Sequence, residues 1–136
     1  MSETQPTLEE LLATAESALH QEPERIAVSL AGEVVEIECP YIGGIEWSNL
    51  VAEHPPRPNS ASDLVVGYNE AGLVYGYLKR HGKMIRGATQ RITPSAEEWD
   101  RFLDVTGAPV INALSLTLYV QNVQMPMDRA VAAGKG

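Results

Sequence analysis

Glu46-Trp47-Ser48-Asn49-Leu50-Val51-Ala52-Glu53-His54-Pro55-Pro56-Arg57-Pro58 is the stretch that most constrains this chain. Trp47, Leu50, Val51 and His54 fall at i, i+3, i+4 and i+7, one face of a 3.6-residue period, so a short amphipathic helix is predicted. Pro55 and Pro56 stop it. A proline has no N–H to donate and disfavours helical backbone in the residue before it, which leaves His54 in the last turn. There, His54 reads as a helix-terminal residue that bonds the last carbonyls. Pro55 to Ser62 is a loop whose prolines favour extended backbone and hold the flanking helices at a set separation. Arg57 follows a rigid Pro-Pro, so its guanidinium is a candidate for bidentate contact with Asp63 or with a partner carboxylate.

Two alternating runs precede this helix. Ile26, Val28 and Leu30 share one face of 25–30. After Ala31-Gly32, Val35, Ile37 and Cys39 alternate with Val34, Glu36 and Glu38. Two such runs joined by a short glycine turn predict a β-hairpin. A lone hairpin is barely stable, so the Trp47 helix is expected to pack on its apolar face. Pro40 to Gly44 is a connector. Further upstream, Thr7-Leu8-Glu9-Glu10 is a capping box opening a helix with Leu8, Leu11, Leu12, Ala15 and Leu19 as a narrow apolar stripe. An isolated helix of that length is marginal in water and must dock at home or on a partner.

Downstream of the loop, a helical turn or two is expected from Ser62 to Val66. Asn69 caps a helix to about His81, with Leu73, Val74, Tyr77 and Leu78 inward. Gly72 and Gly76 weaken it by about 1 kcal/mol each relative to alanine and share a face open to close approach. Gly82 to Arg91 reads as a basic loop; together with Lys79 and Arg80, its Lys83, Arg86 and Arg91 are half of the ten Lys and Arg. Its use is either to balance the acidic N-terminus or to dock an acidic partner or another copy's Glu-rich helix. Thr93 is the expected N-cap of the next helix, with Pro94 at its first position and Trp99 and Phe102 on its buried side. Gly107 ends it. Pro109 opens a last helix, apolar on most of its surface through Leu114, Leu118 and Val123, which places it in the core or at an interface. The fold class is therefore α+β and mostly helical: an N-terminal helix, one small hairpin, then about four helices packed on it. Residues 1–24 form the acidic helix and linker, 25–124 the main domain, and 125–136 a mobile tail.

The 136 residues fit one domain with an ordinary core, and the 44% apolar content is too high for a wholly disordered chain. A formal net charge of -8 opposes non-specific nucleic-acid binding and attraction to an anionic membrane. Much of that surplus is local: Glu3, Glu9, Glu10, Glu16, Glu22 and Glu24 precede Arg25 with no Lys or Arg among them. The one cysteine, Cys39, excludes an internal disulfide and reads as a buried small hydrophobe. No charged segment followed by an apolar core opens the chain, so a signal peptide is not expected. The longest apolar run, 108–120, is broken by Asn112, Ser115 and Thr117 and is too short to span a bilayer.

Catalytic chemistry finds little footing. His20, His54 and His81 lie on separate segments, with no pair at the spacing of a helical zinc site. No glycine-rich phosphate loop follows a strand, and no serine sits in a Gly-x-Ser-x-Gly elbow. No enzyme, cofactor or metal is expected. Trp47, Leu50, Trp99 and Phe102 read as core, since tryptophan on the apolar face of a helix supplies a large buried area.

The Trp-centred helix, the His54-Pro55-Pro56-Arg57 stop, Asp63, Gly67-Tyr68-Asn69 and Thr93-Pro94 opening a helix that contains Trp99 form a pattern. It resembles the tail assembly chaperones of long-tailed phages that infect actinobacteria, over Ile26 to Val123. The resemblance implies a non-catalytic protein of the host cell cytoplasm, absent from the mature virion. Such a protein binds the long tape measure protein and keeps it soluble, with the tail tube protein as a further partner and self-association into a homo-oligomer. It also implies a longer product made by ribosomal frameshifting, with which the terminal Gly134-Lys135-Gly136 is compatible. The client-facing residues are expected to be Leu8, Leu11, Leu12 and Leu19 of the first helix, Arg57, and Leu114 and Leu118 of the last. The alternatives are a virion component, such as a head–tail connector or tail-completion protein, and a host-directed binding module acting through the acidic helix.

Overall fold

The computed structural model describes residues 5–19, 23–87 and 89–129, the side chains of residues 18 and 19 excepted. Helix α1 (Leu8–Leu19) opens as its capping residues dictate. The Glu10 N–H donates to Thr7 Oγ1 at 3.1 Å, and the Thr7 hydroxyl donates to the Glu10 carboxylate at 3.2 Å. Strands β1 (Glu24–Leu30) and β2 (Glu33–Cys39) make the expected hairpin, with Ile26 opposite Ile37 and Val28 opposite Val35. Its turn is Ala31-Gly32, both at positive φ (51° and 81°), the backbone whose twist matches that of the flanking strands.

The sheet is larger than one hairpin. Lys83–Arg86 is β3 and Gln90–Ile92 is β4, giving four antiparallel strands in the order β1-β2-β3-β4. The basic loop expected over 82–91 is thus a second hairpin. Its strands are four and three residues long, too short for alternation to stand out, and their charges mask it. Met84 and Ile92 pair on the inner face, below Ile37. The basic residues serve cross-strand pairing: Arg86 bonds Glu33 through two N–H groups, each at 3.0 Å, and Arg91 reaches Glu38 at 2.8 Å. Glu38 also faces Arg25 at 3.3 Å, so a largely buried carboxylate sits between two guanidiniums on the outer face.

The helices follow. They are α2 (Gly44–Ala52), α3 (Ala61–Val66), α4 (Glu70–His81), α5 (Ala96–Thr106) and α6 (Ala108–Tyr119). Ser60 and Asn69 cap α3 and α4 by accepting the Asp63 and Gly72 N–H groups. The cap of α5 is Ser95, not Thr93: Ser95 and Glu98 complete a reciprocal capping box, which satisfies two N–H groups at once. Pro94 therefore precedes the helix instead of occupying its first turn. Gly107, at φ 80°, ends α5, and the chain axis turns by 116° into the helix that follows.

Beyond Tyr119 the backbone widens to i→i+5 bonding over Val120–Gln124 and continues helical to Arg129. The tail expected from Met125 is helical over 125–129; residues 130–136, including Gly134-Lys135-Gly136, lie outside the described residues. Pro126 accounts for the widened turn. It cannot donate to the Asn122 carbonyl and would crowd it, and the looser pitch relieves that conflict.

Helix α4 is the central strut. Leu73, Val74, Tyr77 and Leu78 are all buried, and α2, α5 and α6 pack around it. Trp47 meets Tyr68, two residues before α4, edge-on with ring centroids 5.7 Å apart; α2 packs against α4, and α6, instead of the Trp47 helix expected there, lies against β1 of the hairpin. Trp47, Leu50, Trp99 and Phe102 are core, as the sequence predicts.

Candidate functional site

The first candidate surface is α1. Every described side chain from residue 5 to 17 is exposed, including Leu8 at 70%, Leu11 at 54% and Leu12 at 50%. Spacings of three and four place those leucines on one face. A 12-residue helix carrying that stripe adds no described side chain to the core of its own chain. Leu19 belongs to the same helix, but its side chain lies outside the described residues.

The other residues expected at a client surface are elsewhere. Leu114 and Leu118 are 0% exposed and belong to the core. Their helix is apolar nearly all round, and a period cannot say which side meets the sheet and α4. Leu116, on the opposite side, is 64% exposed. Arg57 is turned toward its own chain. Its Nε donates to Asp63 Oδ2 at 2.7 Å and its Nη2 to Oδ1 at 3.1 Å. The backbone N–H groups of Arg57 and Glu70 add bonds of 3.0 and 3.2 Å to the same carboxylate. The Arg57 guanidinium and those N–H groups hold the buried Asp63 carboxyl well below the usual carboxylate range, against the desolvation that would raise it. Glu70 then accepts from the Ser115 hydroxyl of α6 at 2.8 Å. The Pro-Pro-Arg loop, α3, α4 and α6 are thereby bound into one unit.

His54 completes the stop. Its Nδ1 lies 2.8 Å from the Leu50 carbonyl oxygen, and its Cδ2, Nε2 and Cε1 atoms lie close against the glycine face of α4. A Cβ on Gly72 would come within 2.9 Å of His54 Cδ2, and one on Gly76 within 2.8 Å of Cε1. The close approach that the glycine spacing allows is filled by an imidazole.

The second candidate surface was not legible in the sequence. An open groove of about 490 Å³ runs between β1, β3, β4 and α5, walled by Leu30, Ile92, Phe102 and Val105, with Arg101 beside them. A second hollow of about 680 Å³ shares Leu30 and Val105 with the first and continues along β1 to Ile26 and Val110. These residues come from strands and helices far apart in the chain, and Val105 is 70% exposed.

Among the described residues, no group of three or more His, Cys, Asp or Glu could hold a metal ion. No single helix described is long and apolar enough to cross a membrane. Burial, with Glu24 and Glu38 nearby, pushes the Cys39 thiol up to about 12, which leaves it protonated and unreactive at neutral pH. Burial also raises the Tyr77 phenol, which donates to the Pro40 carbonyl. Compared with known protein families, with curated proteins and with solved structures, the chain matches none.

Proposed function

We propose that this chain is a phage tail assembly chaperone that binds the tape measure protein and keeps it soluble during tail morphogenesis, without catalysis. The observation that carries this reading is the exposed leucine stripe of an acidic helix that its own fold leaves uncovered. A long helical client presents apolar stripes that aggregate in water. A small acidic protein covers them with leucines while its net charge of -8 keeps the complex dispersed. The pattern shared with tail assembly chaperones over Ile26 to Val123 supports the same reading. Buried Trp47 and Trp99 and the occupied Arg57–Asp63 pair are its scaffold. The setting is the host cell cytoplasm, and the tail tube protein is a second candidate partner.

Co-expression with a tape measure protein tests it. The client stays in the supernatant with the intact chain and precipitates with a Leu8→Glu, Leu11→Glu, Leu12→Glu triple variant. Equal precipitation with and without this chain ends the reading. Mass spectrometry of purified particles finds the protein absent; retention at a fixed copy number would reassign it as a head–tail connector or tail-completion component.

A further inference from the structure

We propose that two copies of this chain pair through the free edge of β1, antiparallel about a two-fold axis at Val28, so that their sheets join into one. The inference uses β1 and not the leucine stripe, and its test contains no client, so it and the client reading stand or fall separately.

Strand β1 lies at the edge of the sheet, and among the described residues no backbone group pairs with its free side. The two-residue turn at Ala31-Gly32 makes Leu30 and Glu33 a hydrogen-bonded pair, and such pairs alternate along an antiparallel ladder. Arg25, Ala27 and Ser29 therefore aim their N–H and C=O groups away from β2, and all three are exposed. Edge strands are ordinarily guarded by shortness, charge, proline, a bulge or a cover. The opposite edge, β4, is three residues long with Arg91 at its centre. By contrast, β1 pairs one to one with β2 over all 7 residues, without proline or bulge, and its only charges, Glu24 and Arg25, stand at its start.

The hollow of about 680 Å³ marks where a strand fits, for Ile26 to Ala31 border it without a gap. Successive side chains of a strand point to opposite faces, so an unbroken run of residues meets a hollow from the strand's edge. The far wall is Val105, Pro109, Val110 and Ala113, an apolar shoulder of α5 and α6. An occupant must therefore be extended, with an unpaired backbone edge and apolar side chains on the α6 side.

A second β1 meets each condition over the bordered stretch. Pairing centred on Val28 sets Val28 against its own counterpart and Ile26 against Leu30 of the second copy, all on the face that α6 covers. Ala27 of each copy meets Ser29 of the other, and these are the residues whose backbone groups are free, so each such pair exchanges both of its N–H···O bonds. Glu24 and Arg25 fall beyond the paired stretch, so no like charges stand opposite one another. The same surface serves both copies, and the association closes at a dimer.

Sedimentation velocity on the full chain over a wide concentration range tests this. The wild type passes from monomer to dimer and no further. Ala27→Pro removes an N–H on the free side and none that bonds β2, and it raises the self-dissociation constant about tenfold or more. An Ala27→Lys, Ser29→Lys variant sets like charges opposite one another across the pair and has the same effect, as does Ala27→Glu, Ser29→Glu. Mixed in equal amounts, the two charged variants recover the dimer. Both side chains are exposed, so circular dichroism shows the charged variants folded, and they decide the matter if Ala27→Pro does not fold. A Leu11→Glu, Leu12→Glu variant dimerises like the wild type. A wild type that stays monomeric, or that grows beyond the dimer, overturns the proposal. So does a dimer that survives Ala27→Lys, Ser29→Lys or is lost with Leu11→Glu, Leu12→Glu, and so does a mixture of charged variants that stays monomeric.

Discussion

Arg57 and Asp63 meet in a parallel fork, Nε to Oδ2 at 2.7 Å and Nη2 to Oδ1 at 3.1 Å, with the carboxylate fully buried and the guanidinium half exposed. The fork is local in sequence, six residues apart, yet it closes the loop that separates α2 from α3. Because the Glu70 N–H joins the same carboxylate, the start of α4 is positioned by it as well. Asp63→Ala is therefore expected to destabilise by about 3 kcal/mol, since it strands several donors inside the fold. Arg57→Lys, which cannot make the fork, lowers the urea midpoint less. Chemical denaturation of the two variants checks the order.

Acid should weaken the fold through the same carboxyl. Asp63 is held well below its ordinary value in the folded chain, chiefly by the Arg57 guanidinium, so the unfolded chain takes up the proton first as pH falls. Its contribution is complete above about pH 4, near the unfolded value, and is lost progressively below that. The Glu33 and Glu98 carboxyls, lowered by Arg86 and by the Ser95 cap, act in the same direction. Unfolding free energy measured from pH 7 to pH 2 falls below about 4 in the wild type. The slope is shallower in Asp63→Asn.

Gly76→Ala should destabilise the chain even though alanine favours a helix by about 1 kcal/mol. The new methyl meets His54 Cε1 at 2.8 Å, and the ring is pinned by its bond to the Leu50 carbonyl, so it cannot swing clear. In a His54→Ala background the same change becomes stabilising by about 1 kcal/mol. A double-mutant cycle in urea reads this reversal of sign, and two additive effects would contradict the packing described.

Removing residues 1–22 should leave the thermal midpoint within a few degrees of the intact chain. The described side chains of α1 are all exposed and none belongs to the core, and β1 begins at Glu24. Such small shifts are the scale of changes below about 1 kcal/mol in a domain of this size. Calorimetry checks it, and a large drop would show α1 docked on its own domain.

Cys39 should resist thiol reagents until the chain unfolds. It is 0% exposed at the end of β2, and its thiol is pushed up to about 12. At pH 8 its modification rate at a fixed reagent concentration is expected to rise with global unfolding across a urea series.

The β1–β2 hairpin, the Asn69 cap, the Gly107 stop and the Pro-Pro end of α2 were legible because each rests on local rules: alternation, a side-chain acceptor, left-handed backbone, a missing N–H. The second hairpin was not. Arg86 and Arg91 look solvent-bound in a linear reading, and only the folded sheet gives them Glu33 and Glu38 of β2 as partners. The α5 cap is Ser95 and not the expected Thr93, because the reciprocal bond between Ser95 and Glu98 satisfies two N–H groups at once.

Sequence alone determined where greasy stripes occur and how they are bounded, since period and capping act over a few residues. It could not rank Leu11 against Leu114, since both are leucines on an apolar helix face. Tertiary packing buries Leu114 completely and leaves Leu11 in water, and it assembles Leu30, Ile92, Phe102 and Val105 into a groove. Burial is a property of what lies opposite a residue, and residues distant in the chain come to lie opposite one another only once it has folded.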